Sequence, residues 1–242
     1  MTTTTLLIII AASFGAAFIQ RATGFGFGIF IMTVLPYVMP SYGEATTLSG
    51  MLALLTALIL VIRYFREVRW RRLWPILLTF LAVSFVAVRL VAVVDDATLR
   101  PILGVTLIAA ALYFWCLSSR VRLRPTLPTQ LSLGTLSGMM GGLFGMQGPP
   151  AVLYFIEVSE TKEEYIAITQ MYFLVGNIVM TCYRANEGFL TPTVWTAWCY
   201  GAGAVVLGTW LGSLIFRYLS LPLLRRIVFA YIALSGVLAL LK

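Results

Sequence analysis

Apolar residues run along the chain in long uninterrupted stretches, near 5–22, 28–39, 44–62, 73–94, 98–117, 131–142, 149–158, 163–182, 192–216 and 221–241. Neither the alternation of a half-buried strand nor the narrow stripe of a surface helix describes them. Six of the ten, 44–62, 73–94, 98–117, 163–182, 192–216 and 221–241, are long enough to cross a bilayer alone. The other four form two pairs, each flanking a glycine-dense interruption: Arg21-Ala-Thr-Gly-Phe-Gly-Phe-Gly28 and Gly141-Gly-Leu-Phe-Gly-Met-Gln-Gly-Pro-Pro150. A backbone that leaves the helix at membrane depth exposes N–H and C=O groups that hydrocarbon cannot satisfy. Such a break survives only inside protein or beside a polar cavity. The two breaks are therefore expected to be two halves of one site.

Each pair can be one broken helix that crosses, or a re-entrant hairpin that enters and leaves on one side. Arg63, Arg66, Arg69, Arg71 and Arg72 fill one loop, and Arg120, Arg122 and Arg124 another. Both loops can be cytoplasmic because two crossings separate them. The loop with Arg217, Arg225 and Arg226 joins them inside only if the second break is re-entrant. Residues 5–40 as one helix would measure about 54 Å against about 30 Å of hydrocarbon, which favours a hairpin for the first pair as well. The alternative is eight ordinary spans, two of them kinked. The expected fold is an all-α polytopic membrane protein, one transmembrane domain over 1–242. It has two inverted-topology repeats, about 5–117 and 131–241, joined by a cytoplasmic linker at 118–130. Each repeat is a broken hairpin plus three transmembrane helices, and both termini lie outside. Gly15/Gly134, Gly26/Gly145, Glu44/Glu163 and Tyr64/Tyr183 all stand 119 residues apart, an offset that superposes the two breaks.

Composition narrows the picture. With 60% hydrophobic and 11% charged residues, no soluble domain is expected, and the net charge of +8 reads as loop arginines on the cytoplasmic side rather than a nucleic-acid surface. Cys116, Cys182 and Cys199 stand singly in apolar runs, and no histidine is present. Neither a disulfide framework, a metal site nor a cofactor is expected, and nothing pairs a nucleophile with a base as an enzyme would need. The start, Met-Thr-Thr-Thr-Thr before an apolar run, lacks the basic region of a cleaved signal peptide.

Where the chain re-enters helix, at about Gly28 and at Pro149-Pro150, unpaired N–H groups and a positive helix end point into the membrane interior. Two such ends meeting from opposite sides make an anion site without a buried lysine. Gly24, Gly26, Gly28, Gly145 and Gly148 permit close approach of backbone to a ligand. Gln20, Arg21, Thr23 and Gln147 add polar side chains, and Arg21 either contacts the ligand or snorkels toward an interface. Gln170 and Asn177 share one face of their helix, lining the cavity or bonding between helices. Gly134-x3-Gly138 and Gly208-x3-Gly212 read as close helix packing. Glu44 and Glu163 start helices and are expected to serve the positive helix end, with proton carriage the other reading.

At these residues the chain resembles the TauE/SafE family of sulfite and organosulfonate permeases, also described as the toluene-sulfonate uptake permease family. The resemblance rests on Thr23-Gly-Phe-Gly-Phe-Gly28, the loop Arg63-Tyr-Phe-Arg-Glu-Val-Arg-Trp-Arg-Arg72, the second break, Lys162-Glu-Glu164 and Leu190-Thr-Pro192. It implies a bacterial inner-membrane secondary transporter for small sulfur-containing anions such as sulfite or sulfoacetate, linked to the proton gradient. Gln147 departs from a further glycine in the family pattern. A passive anion channel and a non-transporting membrane scaffold or assembly factor are the alternatives. The expected partners are the anion, the bilayer and a coupling proton, with no nucleic acid; a homo-oligomer is left open.

Overall fold

The computed structural model describes residues 1–112 and 125–215, so the expected helix at 221–241, the end of the 98–117 segment and most of the linker lie outside the described residues. Within them every regular element is a helix: α1 Thr3–Thr23, α2 Phe27–Ile31, α3 Leu35–Val38, α4 Tyr42–Tyr64, α5 Trp70–Val93, α6 Asp96–Leu112, α7 Leu127–Phe144, α8 Gly148–Val158, α9 Lys162–Asn186 and α10 Pro192–Ile215. Four stretches, Thr3–Ala22, Tyr42–Glu67, Trp70–Val93 and Glu163–Asn186, are long and apolar enough to cross a membrane.

The first member of each broken pair is much longer than its return. The 21 residues of α1 measure about 31 Å, a full bilayer core, while the return is split into α2 and α3 by a turn at 32–34. In the second pair α7 has 18 residues and α8 has 11. Both pairs double back on themselves. A Cβ on Gly15 would meet the Phe30 ring and one on Gly26 would meet Ile19, while Gln130 bonds Tyr154 and Ser137 bonds the Gln147 carbonyl.

Glycine stripes set how these arms lie against the other helices. Gly134, Gly138 and Gly142 of α7 press successively on Ile76/Thr79, Phe80/Val83 and Ser84/Ala87 of α5, so α7 and α5 run parallel. Gly208 and Gly212 of α10 press on Phe14/Ala17 and Phe18/Arg21 of α1, again parallel. The helix α4 runs with α10, since Glu44 meets Thr191 and Met51 meets Trp198. It runs against α9, since Gly43 meets Phe189 while Gly50 lies beside Thr181. Phe80–Tyr172, Phe85–Tyr183 and Arg89–Glu187 make α5 and α9 parallel. Thus α1, α4 and α10 point one way and α5, α7 and α9 the other, and the long arms of the two hairpins approach each other from opposite ends.

Caps fix where α4 and α9 begin. Ser41 Oγ accepts from the Glu44 amide and Thr161 Oγ1 from the Glu164 amide, both at 3.1 Å. Glu44 Oε1 then accepts from Thr191 (2.6 Å), and Glu164 from Arg72 (2.8 Å). The buried acid at the start of α9 is thus Glu164, whereas Glu163, which the constant offset matched to Glu44, is exposed.

Candidate functional site

Both breaks are built by the same device. The helix α1 ends at Gly24 with φ 85° and α7 at Gly145 with φ 67°, the left-handed conformation that glycine adopts without a Cβ penalty. The Gly24 amide bonds back to the Gln20 carbonyl, and the Gly145 amide to that of Gly141. Two residues later a new helix starts, from Gly26 (φ 97°) and from Gln147 (φ −70°). By capping geometry Gly24 therefore matches Gly145, and Gln147 stands where the first break has Gly26. No side chain caps either new helix. The first amides of α2, at Phe27, Gly28 and Ile29, have no acceptor within their own helix. In α8, Pro149 and Pro150 remove two of the corresponding donors and leave that of Gly148.

The tips meet in the middle of the bundle. A Cβ on Gly28 would fall 2.1 Å from the Gly145 carbonyl oxygen, and the Cβ of Phe25 lies 3.7 Å from where one on Gly148 would be. Between them is a cavity of about 30 Å³, room for one or two waters. Gln20, Gly26, Gly28, Gly145, Gln147, Gly148 and Asn177 line it, with Phe27, Ala53, Met146 and Phe173 supplying apolar wall. Gln147 Oε1 is buried without a hydrogen-bond partner, an arrangement that costs about 1–3 kcal/mol in a sealed interior.

The remaining residues singled out from the sequence lie around this cavity or beyond it. Gln170 is an interhelical brace: its Nε2 donates to the Gly24 carbonyl (2.9 Å) and its Oε1 accepts from Gln20 Nε2 (3.1 Å). Gly24 backs onto Tyr165, and Pro149 is buried in the first turn of α8 away from the cavity lining. Arg21 is half-buried, lays its stem over Gly212 and donates from Nε to Ser213 Oγ (2.7 Å), toward α10 rather than into the cavity. Thr23 closes α1, and its side chain lies outside the described residues.

One residue had no place in the expected site. Arg184 is 1% exposed, with Nη1 donating to the Thr46 carbonyl and Nη2 to that of Gly141, each at 2.9 Å. It is the third member of a seven-residue series on α9, Gln170–Asn177–Arg184, which shares one helix face. The series bonds the end of α1 at Gln170, lines the cavity at Asn177 and bonds the end of α7 at Arg184. The signal was present in the spacing. The apolar run itself stops at 182, two residues short of Arg184, whereas α9 continues to Asn186.

A chain whose described residues form only helices, with several of them apolar and of membrane length and two broken hairpins packed tip to tip, is a polytopic membrane protein. The chain belongs to the sulfite exporter TauE/SafE family, whose model matches residues 9–239. No curated protein and no solved structure matches it. Family membership implies a multi-pass membrane permease of the anion-exporter type, working on an anionic substrate in a lipid bilayer, in a family of transporters rather than enzymes.

Proposed function

We propose that the protein moves sulfite or a small organosulfonate such as sulfoacetate across the membrane by alternating access, with the anion held between the two hairpin tips. The observation that carries this reading is the meeting of Gly28 and Gly145 beside a small cavity lined by Gln147, whose Oε1 is buried without a partner. The backbone amides that open α2 and the Gly148 amide are the donors, Gln20, Gln147 and Asn177 orient the ion, and Gln170, Gly24 and Pro149 hold the tips in shape. Arg21 lies at the end of α1 nearer the arginine-bearing end of α4 and would draw anions from that side.

Two inverted repeats, about 5–117 and 131–241, supply the mechanism. Exchanging α1 with α7 and α10 with α5 maps one glycine-packed pair, α1 on α10, onto the other, α7 on α5, while the antiparallel pair α4 and α9 exchanges with itself. Such a pseudo-symmetric bundle has two conformations of similar energy, in which one hairpin or the other withdraws. The cavity is too small for a sulfonate, so loading requires the tips to part. By the charge of the loops, the turn at 65–69 is cytoplasmic and both termini are outside.

The test is flux of sulfite and sulfoacetate into proteoliposomes, with and without an imposed pH gradient, beside phosphate. Selective, gradient-sensitive flux supports a proton-coupled carrier. Selective flux that follows only voltage and concentration replaces it by a channel. Absence of flux for every sulfur oxyanion in well-inserted protein removes the substrate class.

A further inference from the structure

Arg184 carries a full positive charge into the protein with no negative one to meet it. All nine carboxylate side chains of the chain lie within the described residues, and none comes within ion-pair distance of its guanidinium. Glu160 and Glu164 are held by Arg72, Glu187 by Arg89, Glu44 is bonded by Thr191, and Asp96 accepts from the Tyr42 amide. What Arg184 does have is carbonyl oxygen: Thr46, Gly141 and, at 3.5 Å, Gly142. The last two belong to the end of α7, whose macrodipole offers about half an elementary charge. A buried cation is retained when it is paired, because desolvation costs several kcal/mol per ion. Half a charge leaves the account open.

The surroundings lead from the guanidinium back to the cavity. A Cβ on Gly50 would lie 3.1 Å from Arg184 Nη1 and 3.6 Å from Asn177 Oδ1, so the bare glycine lets the α4 backbone pack closely against both side chains. Asn177 lines the cavity on the other side. Ser49, beside Gly50, has a buried hydroxyl with no partner, 3.5 Å from the Cβ position of Gly145.

We propose that Arg184 supplies the counter-charge for the transported oxyanion, which occupies a second station, opened as the hairpin tips part, bounded by Arg184, Asn177 and the Ser49 hydroxyl. This rests on the reading of the protein as a permease for small sulfur oxyanions and adds where the ion's charge is met. An ion leaving the cavity passes Asn177 and reaches Arg184 one heptad along α9, about 10 Å away. The guanidinium keeps its carbonyl bonds throughout and its remaining N–H groups serve the ion.

The experiment measures sulfite and sulfoacetate flux in proteoliposomes, and the melting temperature of the purified protein with each anion against phosphate, for wild type, Arg184→Lys, Arg184→Gln and Gly50→Ala. Wild type is expected to be stabilised by the transported anion. Arg184→Gln should lose that anion-dependent shift and weaken apparent affinity at least about thirtyfold, the effect of deleting one partner of a buried charged contact. Arg184→Lys should keep part of both. Gly50→Ala, whose methyl would crowd Arg184 Nη1 and narrow the station while keeping the guanidinium, should weaken affinity at least about threefold; it decides the matter if Arg184→Gln does not fold. An Arg184→Gln protein that moves the anion with affinity within about threefold of wild type and keeps its thermal shift overturns the proposal, as does an unaltered Gly50→Ala. Loss of stability alone, with the anion-dependent shift intact, identifies Arg184 as a structural brace and also overturns it. If wild type itself neither moves nor is stabilised by any sulfur oxyanion, the transport reading fails first, and this proposal with it.

Discussion

Gly28 lies so close to the carbonyl oxygen of Gly145 that a Cβ there would stand only 2.1 Å away. The obstacle is backbone, so no side-chain rotation relieves it. Gly28→Ala is expected to hold the tips apart, at a cost of about 1–3 kcal/mol for overpacking. The protein should still insert and elute as a single species, with sulfite flux reduced at least about tenfold. Flux equal to wild type would show that the tips do not need this contact.

Gly26 and Gly145 are constrained for another reason. The nearest atoms to a Cβ at either position are 3.4 Å and 3.5 Å away, ordinary contact distances, but both residues have positive φ. Gly145→Ala and Gly26→Ala should therefore each cost about 1–2 kcal/mol through backbone conformation alone. Valine, stiff at χ1, should cost more and abolish flux. Thermal unfolding of the four variants in detergent checks the order.

The amide of Gln147 is where stability and function are expected to diverge. Gln147→Leu removes a buried acceptor without a partner and should raise the melting temperature, by relief of about 1–3 kcal/mol. It should also lower sulfite flux about tenfold, because the cavity loses a polar group. A variant less stable and equally active would show that the amide is satisfied and serves packing.

Ion pairs at the two ends of the bundle differ in burial and should differ in worth. Arg72 holds Glu164, whose side chain is 4% exposed, at 2.8 Å, while Arg89 and Glu187, at 3.6 Å, are 64% and 27% exposed. Arg72→Ala is expected to destabilise by about 2 kcal/mol, the loss of a hydrogen bond to a buried charge. Arg89→Ala should cost less than about 1 kcal/mol and lose even that at high salt. Denaturation at low and high ionic strength separates them.

Orientation is open to direct labelling. In a cysteine-free background, Arg66→Cys should react with a membrane-impermeant maleimide only from the cytoplasmic side and Ala97→Cys only from outside. The reverse pattern would invert the reading of the loop arginines.

Much was legible in the sequence because the bilayer imposes its own arithmetic. Run length marked the membrane helices, and the clustering of Gly24, Gly26, Gly28, Gly145 and Gly148 marked both places where the backbone leaves the helix. Six of the twelve site residues drawn from the sequence were chosen as glycine or proline at those breaks, and three of the glycines, Gly24, Gly26 and Gly145, owe their place to a positive φ, which is local. Side-chain destinations were less accessible. Arg21 and Arg184 are both arginines near the end of an apolar helix, and the seven-residue series that sets Arg184 on the face of Gln170 and Asn177 does not say what covers either one. Packing does: α10 passes beside Arg21 and offers Ser213, whereas α4 and α7 close over Arg184 and offer carbonyls.

By itself, then, the sequence determined the solvent of this protein, the place of its two glycine breaks and the family it resembles, because hydrophobic run length and glycine conformation act within a few residues of chain. Only the tertiary structure decided that the breaks touch at Gly28 and Gly145, that Gln147 takes the place of Gly26, and that Arg184 is buried without a carboxylate. Each of these depends on how α1, α4, α7 and α9, far apart in the chain, lie side by side.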